Sequence, residues 1–161
     1  MSQNADPFLA AARYLYELSL TELRATLEGM GSNGLNWRPD ADDTNSAAVL
    51  VHHVLWSTRD WLCMAVDAPR PPRVRDEEFV SSFESEEQAL ALVDAMKAET
   101  LGYLDTAGEI DWAAERADLL ALIEPDDPRP THAYCLMHAI EHLREHVAHL
   151  QLTRQLWDAR A

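Results

Sequence analysis

The amino-acid sequence predicts an all-α fold, a bundle of four long helices in a single domain over residues 1–161. Glycine is scarce, at 5 of 161 residues, which disfavours a sheet built from many tight turns. Alanine, leucine, glutamate and arginine are abundant, and all four are good helix formers. Apolar residues make up 47% of the chain and recur near helical spacing in four long segments, so each predicted helix has a face to bury.

The four long helices are predicted at residues 7–30, 45–66, 84–106 and 131–157. Asp6 is the expected N-cap of the first helix, either Asn45 or Ser46 that of the second, and Thr131 that of the last. Prolines lie between the helices, and proline cannot continue a helix. Two further segments are predicted as an irregular crossing and as a shorter, weaker helix: residues 69–85 and 109–123.

The charge of the chain excludes several partners. The formal net charge is -15, and such a surface repels phosphate backbones and anionic membranes.

The cysteines and the N-terminus indicate the compartment. Cys63 and Cys135 are isolated in sequence, which is typical of reduced, buried thiols. The N-terminus has neither the basic nor the apolar region of a secretory signal. We therefore expect a cytoplasmic protein that binds no nucleic acid and no membrane.

Four of the seven histidines lie close together in the last predicted helix. His138, His142 and His146 are spaced four apart, which stacks their side chains on one helix face. Two imidazoles at this spacing can chelate one metal ion, but a catalytic zinc usually takes three protein ligands. The third ligand must come from another helix, where His52 and His53 are the candidates.

The histidine pattern also has structural interpretations. A histidine stripe can be a solvated polar face, or a set of core histidines that hydrogen bonds satisfy. The pair on the last helix is by itself a weak indication of a metal. A second histidine pair on another helix strengthens it, because bundles build metal sites from side chains on facing helices.

Three segments of the sequence resemble those of a known family. Residues 35–39, Leu-Asn-Trp-Arg-Pro, are similar to the segment before the family's second helix. Residues 46–54 are similar to the start of that helix, where a serine is followed seven residues later by a metal-binding histidine. Residues 138–150 are similar to its last helix, which carries two histidines four apart. The family is the DinB-like group, also called DinB/YfiT-like.

The resemblance implies one metal-ligand set, made of His53, His142 and His146. Its register selects His53 over the neighbouring His52. The family often has glutamine three residues after the last ligand and arginine eight residues after it. Here the first position is His149, a departure, and the second is Arg154, a match.

The resemblance also implies a fold and an activity. Family members form a four-helix bundle in up-down-down-up order, often paired as a homodimer, and bind zinc or nickel through three histidines. Some transfer low-molecular-weight thiols such as bacillithiol, mycothiol or glutathione. The acidic segment over residues 109–130 is longer than the family leads us to expect, and it is predicted to lie either over the mouth of the site or at a subunit interface.

Three neutral imidazoles would leave a divalent cation one open position, where a water or a thiol becomes acidic. Both hydrolysis and thiol transfer are compatible with such a site, and the resemblance to the DinB-like group favours a metal-dependent thiol S-transferase that acts on a small electrophile. The alternatives are a metal-dependent hydrolase and a non-catalytic, stress-associated metal-binding dimer.

Two further side chains near His53 are candidates for the site. Asp60, about two turns after His53, is either a proton acceptor or a solvated carboxylate. Trp56, near His53, is the tryptophan most expected to face a substrate, whereas the others are expected in the core or at an interface.

Overall fold

The structure, a computed structural model, describes residues 6–107, 109–116, 119 and 130–160. These residues form six helices: α1 (Pro7–Leu27), α2 (Gly31–Asn36), α3 (Ala47–Ala65), α4 (Arg75–Glu78), α5 (Glu86–Thr106) and α6 (His132–Asp158). The described residues contain no strand, and an isolated β-bridge joins Glu115 to Thr131. The predicted all-α fold is confirmed.

Each of the four long helices begins at a polar side chain that caps it. The side chains of Asp6, Ser46, Ser85 and Thr131 each accept a hydrogen bond from a backbone N–H two or three residues further along. Such a bond satisfies one of the amide groups that a helix start leaves unpaired. The predicted caps at Asp6 and Thr131 are confirmed, and Ser46, not Asn45, caps α3.

The first helix ends earlier than predicted, at Leu27, and a short helix follows it. Gly29 and Gly31 have positive φ angles of 79° and 60°, which end α1 as predicted. The chain then turns into α2, which packs on the end of α6. A Cβ atom at Gly34 would lie 2.7 Å from Trp157 Nε1, so glycine is what allows this close approach. This tertiary contact explains a helix where the glycines predict a loop.

The end of α1 is held by a residue of α6. Arg154 Nη1 donates to the carbonyl oxygens of Thr26 at 3.1 Å and Glu28 at 2.7 Å. These are carbonyl groups that the end of a helix leaves without partners. The arginine at this position, which matches the family pattern, therefore caps a helix in this structure.

Two predicted segments differ from the structure. The crossing predicted as irregular contains the one-turn helix α4. The short helix predicted over residues 109–123 is wrong for residues 109–116, which form turns and extended chain. Backbone bonds to the start of α6 replace helical ones there, such as His132 N to Ala114 O at 3.2 Å. The remainder of the predicted segment lies outside the described residues, apart from residue 119.

The long helices pack around one core. α6 packs against α3 and α1, and α5 packs against the same two helices. α3 and α6 are antiparallel, since His132 Nδ1 meets the carbonyl oxygen of Ala65 at one end of the pair and the rings of His53 and His146 meet nearer the other. The up-down-down-up order of the whole bundle stays a prediction. None of the helices in the described part of the chain has both the length and the apolar composition that a membrane crossing requires.

Candidate metal centre

Three histidine rings from two helices meet inside the bundle. His53 projects from α3, and His142 and His146 project from successive turns of α6. The His53 ring lies 5.3 Å from the ring of His142 and 5.1 Å from that of His146, and the last two are 4.5 Å apart. One nitrogen of each ring lies within 4.8 Å of the others. The cluster could therefore hold one metal ion, although the ligand role of these residues stays a prediction.

His52 lies apart from this cluster. Its ring stacks on Phe83, with centroids 4.5 Å apart and planes inclined by 24°. Its Nδ1 lies 2.8 Å from the carbonyl oxygen of Ala48, one turn earlier in α3. Adjacent residues of a helix point about 100° apart, so only one of the two neighbours can face α6. The structure places His53 there, in agreement with the family register.

A buried ion pair orients His53. Glu78, at the end of α4, is 2% exposed, and its Oε2 lies 2.9 Å from His53 Nδ1. Arg73 donates to both oxygens of the same carboxylate, at 2.6 Å and 3.0 Å. Burial would raise the pKa of Glu78, but hydrogen bonds from Arg73 and His53 outweigh it and keep that pKa below its usual value. The carboxylate is thus ionised and can only accept hydrogen bonds.

The ionised carboxylate fixes the tautomer of His53. Because Glu78 can only accept, Nδ1 of the neutral ring must carry the proton and donate it. The lone pair then lies on Nε2, which is the nitrogen left for a cation. Carboxylates behind metal-binding histidines commonly serve this purpose. Sequence reasoning missed Glu78 and Arg73, because they belong to a crossing segment with no periodicity that would connect them to His53.

Burial keeps the three rings in the uncharged form. Burial, followed by the rings of His146 and His53, lowers the pKa of His142 to about 3. Burial and then the ring of His53 lower the pKa of His146 to about 4. Burial also lowers the pKa of His53, against the opposing effect of Glu78. A metal ion binds only neutral imidazole, so this site holds its histidines in the form that binds.

The site also contains unsatisfied nitrogen atoms. Nδ1 of His142 and Nδ1 of His146 are buried, and neither has a hydrogen-bond partner in the described part of the chain. A buried polar atom without a partner costs roughly 1–3 kcal/mol. This cost and the uncharged donor set both fit a site that is completed by a cation.

The histidines make the stability of the metal-free protein depend on pH. In the unfolded chain a histidine takes up its proton near pH 6.5, whereas the folded site resists protonation until about pH 3–4. The unfolded state therefore binds more protons between these limits, and stability falls as the pH is lowered through them.

We expect acidification of the metal-free protein from pH 7.5 to pH 5 to lower its unfolding free energy by about 2 kcal/mol through His142 and His146, after allowance for their partial exposure. Urea unfolding in the presence of a chelator measures this. The double variant His142→Ala/His146→Ala should lose that part of the dependence. An equal dependence in the variant would show that other groups cause it.

A cavity of about 300 Å³ opens beside the rings of His53 and His142. The rest of its wall is mostly polar and aromatic, and consists of Ser57, Asp60, Trp61, Met64, Arg70, Arg73, Arg75 and His138. Asp60 is therefore near His53, as predicted. Both of its oxygens accept hydrogen bonds from Arg70, at 2.7 Å and 2.9 Å, so Asp60 is not a freely solvated carboxylate. Its role as a proton acceptor stays a prediction.

The other histidines of α6, His138 and His149, lie beside the cluster, and the two tryptophans of α3 differ in their distance from the cavity. The His138 ring stacks on Tyr134 and meets Trp61 edge-on at 4.4 Å, in the cavity wall. His149 is exposed, and its ring lies 6.3 Å from that of His146. Trp56 contacts His52 and Arg59 and is absent from the lining of this cavity, where Trp61 is found. Trp61 is therefore better placed than Trp56 to face a substrate.

The acidic segment was predicted to lie over the site mouth or at a subunit interface. Within it, Trp112 packs on Phe8 at the start of α1, and Arg116 bonds to the carbonyl oxygen of Met64 in α3 and pairs with Asp67 at 3.0 Å. Residues 117, 118 and 120–129 lie outside the described residues, so both placements stay predictions.

Comparison with known proteins places the chain in a family. A family model described as the DinB superfamily matches residues 15–150, a stretch that includes all three clustered histidines. The chain belongs to the DinB superfamily. A crystal structure of a conserved protein from Enterococcus faecalis has the same fold, with a TM-score of 0.74 at 17% identity. The match covers 93% of this DinB-superfamily chain and 96% of the other. Among curated proteins, none matches the sequence.

Proposed function

We propose that this DinB-superfamily protein is a metal-dependent thiol S-transferase. In the reaction, a low-molecular-weight thiol of the bacillithiol, mycothiol or glutathione type loses its proton to solvent, and its sulfur forms a bond to a small electrophile whose leaving group departs as an anion. His53, His142 and His146 hold one divalent ion, zinc or nickel. The observation that carries the proposal is the convergence of three uncharged imidazoles, two of which line an open cavity.

The donor set supports a zinc or nickel ion. Imidazole nitrogen suits both metals, and three protein ligands are typical of a catalytic zinc site. A divalent cation bound in this way keeps an open position and lowers the pKa of a thiol or water that binds there.

The protein's own residues supply orientation and shape. Glu78 holds the ring of His53 in one tautomer, and Arg73 holds Glu78. The cavity, at about 300 Å³, is at the lower end of the range for small-molecule sites. Such a volume suits the reacting parts of two small molecules and supports a small-molecule substrate.

A hydrolase is the second candidate, because the same open position can take water in place of a thiol. The polar wall near His53, which includes Ser57 and Asp60, supports this alternative. The non-catalytic metal-binding dimer has less support, since a storage site has no need of an adjoining cavity. The homodimer itself stays a prediction.

A thiol-dependence assay tests the proposal. Protein purified without an affinity tag is loaded with one equivalent of zinc or nickel and mixed with each thiol and an activated aryl chloride. We expect conjugate formation at least about tenfold faster than in the metal-free protein, because a deprotonated thiol is the nucleophile. His142→Ala should reduce the rate to background, and the matched variant His149→Ala should keep it.

Two results would contradict the transferase. Equal rates with and without metal would remove the proposed role of the cation. Metal-dependent cleavage of an activated ester, unchanged by the omission of thiol and with no conjugate formed from the aryl chloride, would favour the hydrolase instead.

A further inference from the structure

We infer that the small-molecule substrate of this site carries an anionic group, a carboxylate or a phosphate, which Arg75 binds at the cavity mouth. The inference deepens the proposed function and rests on it only in treating this cavity as the substrate site. It is carried by the placement and pairing of three arginines.

Three arginines from one short stretch of chain line the cavity. Arg70, Arg73 and Arg75 fall within six residues of each other and all reach the same wall. The whole chain has only 13 basic residues against 28 acidic ones. A strongly acidic protein thus places three of its 13 basic side chains beside the candidate metal centre.

Two of the three arginines already have carboxylate partners. Arg70 binds both oxygens of Asp60, and Arg73 binds both oxygens of Glu78. These contacts fix the guanidinium groups in the cavity wall and balance their charges. Because the charges of Arg70 and Arg73 are balanced in this way, the excess positive charge of the cavity wall comes from Arg75.

Arg75 has no ion-pair partner among the residues that the structure describes. Its guanidinium lies over the ring of Phe79, 5.7 Å from the centroid. The Phe79 ring in turn lies 5.3 Å from that of His53. One aromatic ring therefore connects the unpaired arginine to the histidine cluster, which places its charge within reach of a molecule bound there.

The balance of charge favours an anion. The wall carries three guanidinium groups, and two carboxylates pair with them: Asp60, which lies in the wall, and Glu78, which lies behind Arg73. A net positive cavity in a low-dielectric wall concentrates anions, even on a protein of overall charge -15. Guanidinium groups match carboxylates and phosphates particularly well, because their planar fork donates two parallel hydrogen bonds. The net charge of -15 disfavours anion binding over the surface as a whole, which makes a local cluster of arginines the more favourable place for it.

A binding titration followed by NMR tests the inference. Tag-free ¹⁵N-labelled protein, metal-free and zinc-loaded, is titrated with inorganic phosphate, with succinate and with the neutral analogue succinamide. We expect saturable shifts at the Trp61 indole N–H and the Arg75 amide with phosphate or succinate, and none with succinamide. The anion that binds more tightly identifies the group.

Three arginine variants complete the test. Arg75→Gln should weaken anion binding by about fivefold, the upper end of the effect expected for loss of one exposed ion pair. Arg75→Lys, which keeps the charge but not the fork, should lose less. Arg160→Gln is the matched control, since Arg160 is also exposed and lies over tryptophan rings, 4.8 Å from each centroid, outside the cavity lining. It should bind within about twofold of wild type.

The outcomes separate this inference from the proposed function. Absence of saturable anion binding, equal affinity in Arg75→Gln, or equal loss in Arg160→Gln would overturn the inference. Absence of zinc binding would overturn the proposed function, while the metal-free titration would still test Arg75. Zinc content measured in Arg75→Gln should equal that of wild type, which shows that the variant acts on the anion and not on the metal.

Discussion

We expect His142→Ala to lose its bound metal and, with it, a large part of its thermal stability. The variant keeps two of the three clustered imidazoles, which are too few for a tight site. A cation present at about a thousand times its dissociation constant stabilises the native state by roughly 4 kcal/mol. For a domain of this size, that loss corresponds to a fall in Tm of about 10 °C. Elemental analysis and calorimetry measure the two effects.

Two controls separate metal loss from damage to the core. The Tm of wild-type protein treated with a chelator should fall to a similar value, because that protein also lacks the metal ion. His149→Ala removes an exposed histidine from the same helix and should keep both metal and Tm. Full metal stoichiometry in His142→Ala would show that His142 is not a ligand.

Replacement of Glu78 has the second large expected effect. Glu78→Ala should weaken metal binding by about 10-fold to 100-fold, because the His53 ring loses the acceptor that fixes its tautomer. It should also lower the unfolding free energy by about 3 kcal/mol, since Arg73 would remain largely buried without its carboxylate. Competition with a chromogenic chelator measures the affinity, and urea unfolding measures the stability.

The neighbouring residue provides a matched control for this variant. Glu77 belongs to the same short helix but is exposed, so Glu77→Ala should leave both quantities near their wild-type values. Glu78→Gln keeps the shape and one acceptor oxygen, and should retain more affinity than Glu78→Ala. If Glu78→Ala bound metal as tightly as wild type, its carboxylate would have no part in the site.

Much of the fold was predictable because local chemistry and tertiary packing agree. Asp6 and Thr131 cap helices in the structure as their positions predict. The i, i+4 spacing of His142 and His146 brings their rings together, as helix geometry requires. The choice of His53 over His52 needed the family register, since periodicity alone left both candidates open.

The parts that were missed depend on contacts between distant residues. Gly34 belongs to a helix because Trp157 packs on it, whereas glycines in sequence predict a turn. Glu78 lies 25 residues from His53 in sequence, on a helix of four residues, and no periodic pattern fits so short an element. An acidic residue among several others, in a segment rich in proline, gives sequence reasoning no reason to choose it.

Two different kinds of element support the site: the long helices and the one-turn helix α4. The three rings stand on long helices whose apolar residues form the core, so their positions change only if the bundle itself changes. The carboxylate behind His53 stands on an element with little core of its own. Substitutions at the exposed positions of this short turn therefore reach the residues behind His53 without touching the core of the long helices. The orientation of one imidazole can be adjusted from outside the core in this protein, provided that the pair of Glu78 and Arg73 is kept.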